Sequence, residues 1–433
     1  MLNFRKLVKK FIPTNLFKQI EPTGHLIEAI LANVLYGFPS RKMRVIGVTG
    51  TNGKTTTVFL IAKMLQRTGQ KVGMLSTVAY GIGDDIKPQI EHMTTVDSFT
   101  LQKRLREFKN AGVKWAVIET SSHALAQNRV WGIPYEIAVM TNVTKDHLDY
   151  HGTFKNYLDA KLRLFELTSK NPRGFGVINA DDANADRFIA AIPKSVTYGE
   201  KAGNLIAQNI KLDLDNVSFE VKSGDETHKI RINIPGGFNI NNGLAAVATG
   251  IKLGLSKDKI EQGIASLDGV EGRMNVINEG QKFKAVVDFA STPDAFERVF
   301  SAIRPTVKGK LIAVFGSAGR RDESKREIQG EIAGKYADEV ILTEEDDRDI
   351  DGDGILKEIA VGARKAGKVL DKNLFLILDR KEAIEFAVKR AKYRDDMVIF
   401  LGKGHEKTIE RADGAHHWNE TEVVRKALRK ILG

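Results

Sequence analysis

One glycine-rich segment constrains the fold of this chain more than any other feature. Residues 50–57, Gly-Thr-Asn-Gly-Lys-Thr-Thr-Thr, follow the β-branched stretch 44–48 and open a helical stretch that runs from Lys54 to about Arg67. Glycines let backbone N–H groups turn toward a phosphate, and the amino end of the following helix adds partial positive charge. The order strand, loop and helix therefore predicts an α/β domain that binds the phosphates of a nucleoside triphosphate.

Two side chains of this loop have expected roles. Lys54 is expected to contact the outer phosphates, and the Thr55 hydroxyl is expected to ligate magnesium. The general pattern has glycine five residues before Gly53, where this chain has Val48, and one subfamily uses this shorter form. The loop alone does not distinguish kinases, GTPases, motors and ligases.

The length and the residue pattern predict more than one domain. A chain of 433 residues exceeds what one hydrophobic core usually supports. From Met43 onward, short β-branched runs alternate with helical stretches, as in a parallel sheet covered by helices. The predicted strands and the alternating stretch are 44–48, 115–119, 137–140, 228–234, 310–315, 339–342 and 397–401. We expect a short N-terminal segment (1–42), a P-loop central domain (43–303) and a smaller Rossmann-like α/β C-terminal domain (304–433).

The N-terminal segment is basic and amphipathic. Residues 1–44 hold eight Lys or Arg and two Glu, whereas the whole chain has a net charge of +11. The rest of the chain is only mildly basic, which argues against nucleic acid as the main partner. Apolar residues recur at helical spacing, which predicts either a helix packed on the next domain or a peripheral membrane contact; they are Leu26, Ile27, Ile30, Leu31, Val34 and Leu35. The absence of cysteine fits a reducing cytoplasm.

Polar clusters end two of the predicted strands. Glu119 ends the first, and His147 follows the second with Asp146 and Asp149 as rival metal ligands. A carboxylate suits magnesium, and an imidazole nitrogen is a less usual ligand for it. Four histidines (92, 123, 147 and 151) lie near these strand ends, which favours a site. Lys161 lies on a helical stretch, 153–165, four residues after Tyr157, and spacing alone assigns it no role.

At these residues the chain resembles the Mur ligases, which form amide bonds in cell-wall peptide assembly, and most closely their MurE type. Further motifs extend the resemblance to the C-terminus; they are Thr94-Thr95, Gln127-Asn128-Arg129-Val130, residues 141–152, 161–165 and 238–242, Gly272-Arg273-Met274, residues 288–294 (Asp-Phe-Ala-Ser-Thr-Pro-Asp) and Gly402-Lys403-Gly404-His405-Glu406. The resemblance implies an enzyme that uses ATP and Mg²⁺ to activate a carboxylate as an acyl phosphate. An amino acid then attacks, giving an amide, ADP and phosphate.

The resemblance also implies roles for individual residues. The expected catalytic residues are Lys54, Glu119, His147 and Lys161, of which the lysine at 161 is carbamylated by carbon dioxide and joins the metal ligands Thr55, Glu119 and His147. The expected ATP-binding residues are Gly50, Thr51, Asn52, Gly53, Lys54, Thr55, Thr56, Asn242, Arg273 and Asp288. The expected substrate-binding residues are Thr94, Thr95, Ser121 and Arg129 for the carboxylate acceptor, and Arg326, Asp346, Arg348, Gly402 and Glu406 for the amino acid.

Three departures from the MurE pattern bear on the substrates. Only about 43 residues precede the first strand, where a MurE enzyme has a domain that grips UDP, so the acceptor is expected to be a muramyl peptide or another short peptide. Ser291 replaces the histidine of Asp-Tyr-Ala-His-Thr-Pro, and Glu345-Asp346-Asp347-Arg348 replaces Asp-Asn-Pro-Arg. The acids of 344–351 favour an amino acid with a second cationic group, such as lysine or diaminopimelate. A cyanophycin- or polyglutamate-type peptide ligase and a non-catalytic ATP-binding subunit are the alternatives.

Overall fold

The computed structural model describes residues 14–91 and 93–433, with side chains described from Thr23 onward. The N-terminal cations Arg5, Lys6, Lys9 and Lys10, and His92, therefore lie outside the described residues. Within the described ranges, none of the helices is long and apolar enough to cross a membrane.

The chain divides into two compact units that interleave in sequence. The first unit comprises the described residues up to 208 together with 220–230 and 240–266, and the second comprises 209–219, 231–239 and 267–433. The predicted domain boundary at residues 303 and 304 stays a prediction.

The larger sheet has eleven strands in the order β11-β10-β9-β8-β7-β6-β1-β5-β2-β3-β4. Strand β1 lies between β5 and β6 and is parallel to both, whereas β3 runs antiparallel to both β2 and β4. The strands are β1 (Arg44–Thr49), β2 (Val72–Leu75), β3 (Ala79–Ile82), β4 (Asp85–Pro88), β5 (Trp115–Glu119), β6 (Tyr135–Met140), β7 (Phe175–Asn179), β8 (Ser195–Gly199), β9 (Leu205–Leu212), β10 (Val217–Ser223) and β11 (Glu226–Ile232).

Nine helices accompany these strands along the described chain. They are α1 (Thr14–Tyr36), α2 (Lys54–Gln66), α3 (Ser98–Asn110), α4 (Ser122–Ala126), α5 (Leu148–His151), α6 (Phe154–Ser169), α7 (Ala185–Ala190), α8 (Asn239–Lys252) and α9 (Lys257–Ala265), with a short 3₁₀ helix at Pro39–Lys42. Residues at every position of β5 and β6 are buried, as expected for strands covered on both faces of a parallel sheet.

The second unit contains a six-stranded sheet in the order β12-β13-β17-β14-β15-β16. Its strands are β12 (Asn275–Ile277), β13 (Lys284–Val287), β14 (Leu311–Phe315), β15 (Glu339–Leu342), β16 (Leu374–Leu376) and β17 (Met397–Phe400), and β18 (Thr408–Arg411) pairs separately with β19 (Gly414–His417). Its helices are α10 (Pro293–Ile303), α11 (Ser324–Tyr336), α12 (Gly352–Lys365), α13 (Arg380–Arg390) and α14 (Glu420–Leu432), with a 3₁₀ turn at Arg304–Thr306. The predicted α/β fold class is confirmed.

Helix α1 buries a face of small and polar residues and exposes large apolar ones, the reverse of an ordinary amphipathic helix. The side chains that pack inward are small or polar, among them Ala29, Ala32 and Asn33. The Asn33 amide donates to the carbonyls of Ala29 at 2.8 Å and Trp131 at 2.9 Å. The predicted helix is present; of its larger apolar side chains, Ile27, Leu31, Val34 and Leu35 are exposed, whereas Leu26 and Ile30 are half-buried.

Candidate active site

The glycine-rich loop connects β1 to α2, as the sequence predicts. Gly50 and Gly53 have φ values of 152° and 83°, in the region that favours glycine. A Cβ at Gly53 would collide with the Asn242 side chain. Lys54 bends back over the loop, where its Nζ donates to the carbonyls of Gly50 at 3.0 Å and Thr51 at 2.8 Å.

Neighbouring strand ends hold the loop in place. The Thr51 N–H donates to the Asn142 carbonyl at 2.8 Å, and the Asn52 N–H donates to the Asn142 side chain at 2.9 Å. Thr51 Oγ1 lies 2.9 Å from the Tyr157 hydroxyl. The Thr57 hydroxyl donates to Asn242 Oδ1 at 3.4 Å, so Asn242 lies beside the loop. The loop is thus fixed by residues after β6 and by helices α6 and α8.

Glu119 is buried beside Thr55, at the carboxyl end of β5. Its Oε2 accepts hydrogen bonds from the Thr55 hydroxyl at 3.0 Å and the Thr77 N–H at 2.8 Å. Its Oε1 accepts from the Thr77 hydroxyl at 2.8 Å. Two predicted metal ligands, both with oxygen donors, are therefore in direct contact. This donor chemistry fits Mg²⁺.

His147 lies among other aromatic rings. Its ring packs edge-on against His123, with centroids 4.8 Å apart. Burial lowers the pKa of His147, and the charges of Lys54 and Lys161 lower it further, against the opposing effect of Asp146. A neutral imidazole keeps a nitrogen lone pair for a ligand. Among the described residues, no three His, Asp or Glu side chains already form a metal-binding group.

Lys161 is the least expected member of the site, because a lysine is rarely buried. Only 1% of it is exposed. Its Nζ donates to the Gly50 carbonyl at 2.5 Å and lies 4.4 Å from the Tyr157 ring centroid. Burial lowers the Lys161 pKa well below its ordinary value, and the nearby Lys54 charge adds to this. The surroundings of Lys161 beside the glycine-rich loop therefore disfavour the protonated form of its amine.

The predicted acceptor-binding residues lie next to Glu119. The Thr95 hydroxyl donates to the Glu119 carbonyl at 2.8 Å, and the Ser121 N–H donates to Thr95 Oγ1 at 3.0 Å. Arg129 donates to the Thr95 carbonyl. Thr94 and Thr95 line a small cavity together with Glu119. The structure brings these four predicted residues together.

In the second unit, Arg273 and Asp288 form one cluster. Asp288 is buried and accepts from the Met274 N–H at 2.8 Å and the Ala290 N–H at 2.8 Å. Burial raises the Asp288 pKa, and the Arg273 charge opposes that shift. The Arg273 guanidinium lies 4.8 Å from the Phe289 ring centroid, and the Phe289 ring packs at a tilt against His405 with centroids 4.9 Å apart.

The predicted amino-acid-binding residues form a charged network around Lys403. The Lys403 Nζ donates to Asp346 at 2.8 Å and to Glu406 at 2.6 Å. Arg348 donates to Glu410 at 2.6 Å and lies 4.0 Å from Asp346. Gly402 has a φ of 101°, and a Cβ there would lie 2.6 Å from a Glu345 carboxylate oxygen.

Arg326 forms its ion pairs with other acids, Glu323 and Glu358. It is 2% exposed, and its guanidinium donates to Glu358 on α12 at 2.7 Å. Its predicted contact with the amino acid stays a prediction.

Two family models match this chain over successive parts of the sequence. The family model "Mur ligase middle domain" matches residues 48–250, and the model "Mur ligase, glutamate ligase domain" matches residues 272–404. The chain belongs to the Mur ligase family.

This Mur ligase is similar in sequence to two named relatives over most of the length of each protein. It is 39% identical over 424 residues to a UDP-N-acetylmuramyl-tripeptide synthetase of Roseiflexus sp. (strain RS-1), covering 95% of this chain and 83% of that protein. It is 37% identical over 430 residues to UDP-N-acetylmuramoyl-L-alanyl-D-glutamate--2,6-diaminopimelate ligase 1 of Clostridium acetobutylicum, covering 98% of this chain and 86% of that protein. The predicted resemblance is confirmed, and the protein is an ATP-dependent ligase.

Solved structures agree with this fold. The structure of a UDP-N-acetylmuramoyl-L-alanyl-D-glutamate--2,6-diaminopimelate ligase superposes with a TM-score of 0.67 at 34% identity, covering 90% of this chain and 79% of that chain. A Mycobacterium tuberculosis folylpolyglutamate synthase superposes with a TM-score of 0.71 at 15% identity, covering 94% and 95%, which shows a shared fold alone.

Sequence reasoning missed several residues of this Mur ligase site. Thr77 holds both Glu119 oxygens, but it belongs to no motif that the sequence displays. Tyr157 contacts both the loop and Lys161, and its spacing four residues before Lys161 was the available signal. Lys403 belongs to the motif at residues 402–406, but the sequence does not show that this lysine is buried between the carboxylates of Asp346 and Glu406.

Proposed function

We propose that this Mur ligase joins an amino acid to a carboxylate of a muramyl peptide through an acyl phosphate, releasing ADP and phosphate. The relatives' names, which specify UDP-linked muramyl substrates and diaminopimelate, support this class of acceptor and amino acid. The buried Lys161 amine beside the glycine-rich loop carries the proposal, because a site that only binds ATP has no use for it.

In the first step, an oxygen of the acceptor carboxylate attacks the γ-phosphorus of ATP, and the bond to the ADP oxygen breaks. Loop N–H groups and Lys54 offset the negative charge on the phosphates. Lys54 now contacts two loop carbonyls, so it exchanges these contacts for phosphate oxygens when ATP binds. Thr95, Ser121 and Arg129 are close enough to Glu119 to hold the acceptor carboxylate next to this phosphate.

Thr55 and Glu119 would hold Mg²⁺, with His147 as a neutral nitrogen ligand. The metal supplies positive charge at the phosphate oxygens. Glu119 is already oriented for this role by Thr77, so little reorganisation is required of it.

Lys161 is proposed to be carbamylated. Its neutral nitrogen attacks dissolved carbon dioxide, a nitrogen–carbon bond forms, and one proton leaves to solvent. The lowered Lys161 pKa supports this step, since a protonated amine has no lone pair for attack. The resulting carbamate places an anion near Lys54, and anionic oxygen suits a second magnesium.

In the second step, the amino group of the incoming amino acid attacks the acyl carbon, the bond from that carbon to the phosphate oxygen breaks, phosphate leaves, and one proton of the amine passes to solvent. Asp346, Arg348, Gly402 and Glu406 form the second unit's network, and Arg348 offers a guanidinium to a carboxylate. Arg326 is proposed as a further contact.

The acids of 344–351 bear on which amino acid is used. Several are already paired with cations of the protein: Glu344 with Arg411, Asp346 with Lys403 and Asp349 with Arg320. Glu345 differs, because among the described residues its Oε2 has no hydrogen-bond partner. Burial raises the Glu345 pKa to about 7. We therefore propose Glu345 as the partner of a second ammonium group, as in lysine or diaminopimelate.

The enzyme is proposed to act in the cytoplasm, with a peripheral membrane contact through residues 1–42. The eight cations of residues 1–44 and the outward apolar side chains of α1 support that contact.

A matrix of acceptors and amino acids tests the function. Purified protein is incubated with ATP and Mg²⁺, phosphate release is measured, and products are identified by mass spectrometry. We expect turnover with a muramyl dipeptide acceptor and a diamino acid. Turnover only with glutamate or aspartate–arginine peptides would refute the proposal in favour of a polyglutamate- or cyanophycin-type ligase. Equal use of alanine and lysine would refute the diamino acid preference.

A further inference from the structure

Helix α1 presents a stripe of large apolar side chains to solvent. Ile27, Leu31, Val34 and Leu35 are 53%, 54%, 61% and 63% exposed. Their spacing of four, three and one residues places them on one face of the helix. A contiguous exposed apolar patch of this kind marks an interaction surface.

A basic pocket lies just beyond the carboxyl end of this helix. It is open, about 400 Å³ in volume, and is lined by five cationic side chains, Arg41, Lys42, Arg44, Lys114 and Arg173, together with Met43 and Gln70. Glu136 accepts two hydrogen bonds from Arg44 Nε and lies 3.6 Å from Arg173. This single carboxylate offsets one of the five charges, so the pocket attracts anions.

The stripe and the pocket are continuous along the chain. The 3₁₀ helix Pro39–Lys42 connects them and carries the first two pocket cations. The Arg41 guanidinium lies 4.2 Å from the Phe38 ring centroid. The sequence before α1 contributes four further cations and no acid, namely Arg5, Lys6, Lys9 and Lys10.

We propose that this composite surface, the α1 stripe together with the basic pocket, binds the surface of an anionic lipid bilayer. The apolar side chains enter the boundary between headgroups and acyl chains, and the pocket cations contact headgroup phosphates. The inference deepens the membrane contact proposed above and does not depend on the ligase reaction.

The position of the surface is compatible with catalysis on a membrane. Arg44 begins β1, Lys114 directly precedes β5, and Arg173 lies two residues before β7, so the pocket lies at the amino ends of parallel strands. Gly50 and Glu119 lie at the opposite, carboxyl ends of β1 and β5. A bilayer bound at the pocket therefore leaves the glycine-rich loop on the far edge of the sheet.

The charge of the pocket argues against a second copy of the chain as the occupant. In a two-fold dimer each surface meets itself, so one basic pocket would approach another. Like charges facing each other across an interface are unfavourable. An anionic bilayer complements both parts of the surface.

Flotation with vesicles tests the proposal. The full chain is mixed with vesicles of phosphatidylcholine alone or of phosphatidylcholine with phosphatidylglycerol, and we expect binding to the anionic vesicles that weakens as salt rises. Replacing the cations (R41Q/K42Q/K114Q/R173Q) is expected to weaken binding about fivefold per cation. The matched control K201Q/K222Q/K229Q/K259Q removes the same charge from exposed lysines outside the pocket.

The apolar stripe is tested separately. L31Q and L35Q are each expected to weaken vesicle binding roughly tenfold, whereas I189Q, at a side chain 38% exposed elsewhere, leaves it unchanged. All variants should retain phosphate release in vesicle-free buffer, which separates this test from that of the ligase function.

Three results would overturn the inference. One is equal binding by the pocket variant and its control. Another is that only R5Q/K6Q/K9Q/K10Q loses vesicle binding while the pocket and stripe variants keep it. The N-terminal segment would then bind the membrane, and the α1 stripe and the basic pocket would not. The third is a protein dimer that L35Q dissociates, with no vesicle binding by the parent chain.

Discussion

The Thr55 hydroxyl donates a 3.0 Å hydrogen bond to Glu119 Oε2, which joins the glycine-rich loop to the end of β5. The same oxygen accepts from the Thr77 N–H. Two proposed metal ligands, contributed by different elements, are thus held in place by a third residue, Thr77. Removing the charge of Glu119 should therefore affect both stability and catalysis.

Glu119→Gln tests this relationship. The amide introduces two donors where Thr55 and Thr77 also donate, so at least one buried donor loses its acceptor. We expect a loss of about 1–3 kcal/mol in the free energy of unfolding and a fall in turnover of roughly a hundredfold or more. Urea unfolding and phosphate release measured against Mg²⁺ concentration report the two effects. Glu107→Gln, at an exposed glutamate, is the control; unchanged Mg²⁺ dependence in Glu119→Gln would remove Glu119 from the metal site.

Gly53→Ala should abolish nucleotide binding, because the added Cβ collides with Asn242 and Gly53 has a φ of 83°. Gly69→Ala is a matched control: its φ is 76°, and nothing lies within 4 Å of an added Cβ. The control should lose about 1 kcal/mol of stability through backbone strain and keep its affinity for ADP. Calorimetric titration with ADP measures both variants. Equal affinities would show that the loop tolerates a side chain at Gly53.

Lys161→Ala removes the proposed carbamate, and we expect turnover to fall roughly a hundredfold or more. Wild-type enzyme prepared without carbon dioxide should lose activity and regain it when bicarbonate is added. A small carboxylate such as acetate should partly restore Lys161→Ala, since it can supply the missing oxygens. Lys155→Ala, at an exposed lysine of the same helix, should behave as wild type. Bicarbonate-independent activity would exclude the carbamate.

The Arg380–Glu420 ion pair should be important for the stability of the second unit. Both side chains are fully buried, and Arg380 also donates to the carbonyls of Glu344 and Leu401. Arg380→Met leaves a buried carboxylate without its partner, which typically costs about 3–5 kcal/mol. Lys430→Gln, which breaks an exposed pair with Glu385, should have little effect. Urea unfolding measures the stability of both variants. Similar unfolding midpoints for Arg380→Met and Lys430→Gln would contradict the importance of the buried Arg380–Glu420 pair.

Glu345 should make stability depend on pH. Burial raises its pKa in the folded protein to about 7 from 4.5, so the folded state binds a proton more tightly than the unfolded state. This contribution is full below pH 4.5 and is lost as the pH rises to about 7. Glu345→Gln should remove that decline and raise stability at neutral pH by at most about 3 kcal/mol. Unfolding curves across this pH range check the sign; an unaltered pH profile would contradict it.

The sequence predicts the strands and the loop well, because both rest on local patterns. The predicted strands at Trp115–Glu119 and Glu339–Leu342 agree with the structure at both ends. Local spacing also predicts α1, but it could not predict which face packs. Asn33 and two alanines face inward because close approach to the Trp131 segment requires small or hydrogen-bonding side chains.

The candidate site is less accessible to sequence, because its chemistry depends on burial and on long-range contacts. Lys161 has the spacing of a surface lysine, and its role rests on its position against Gly50, which is 111 residues away in the chain. Likewise, the acids near Asp346 suggest a strongly negative site, whereas Lys403 and Arg411 neutralise much of it. Pairing of this kind is set by tertiary packing.

The most direct test of acyl-phosphate chemistry follows one oxygen atom. The acceptor carboxylate is labelled with a heavy oxygen isotope, and the phosphate released during amide formation is examined by mass spectrometry. The carboxylate first attacks ATP, and the incoming amine then displaces phosphate from the acyl carbon. One labelled oxygen from each acceptor therefore leaves with the phosphate. We predict that label appears in phosphate in equal amount to the amide formed. Amide formation with unlabelled phosphate would contradict the mechanism.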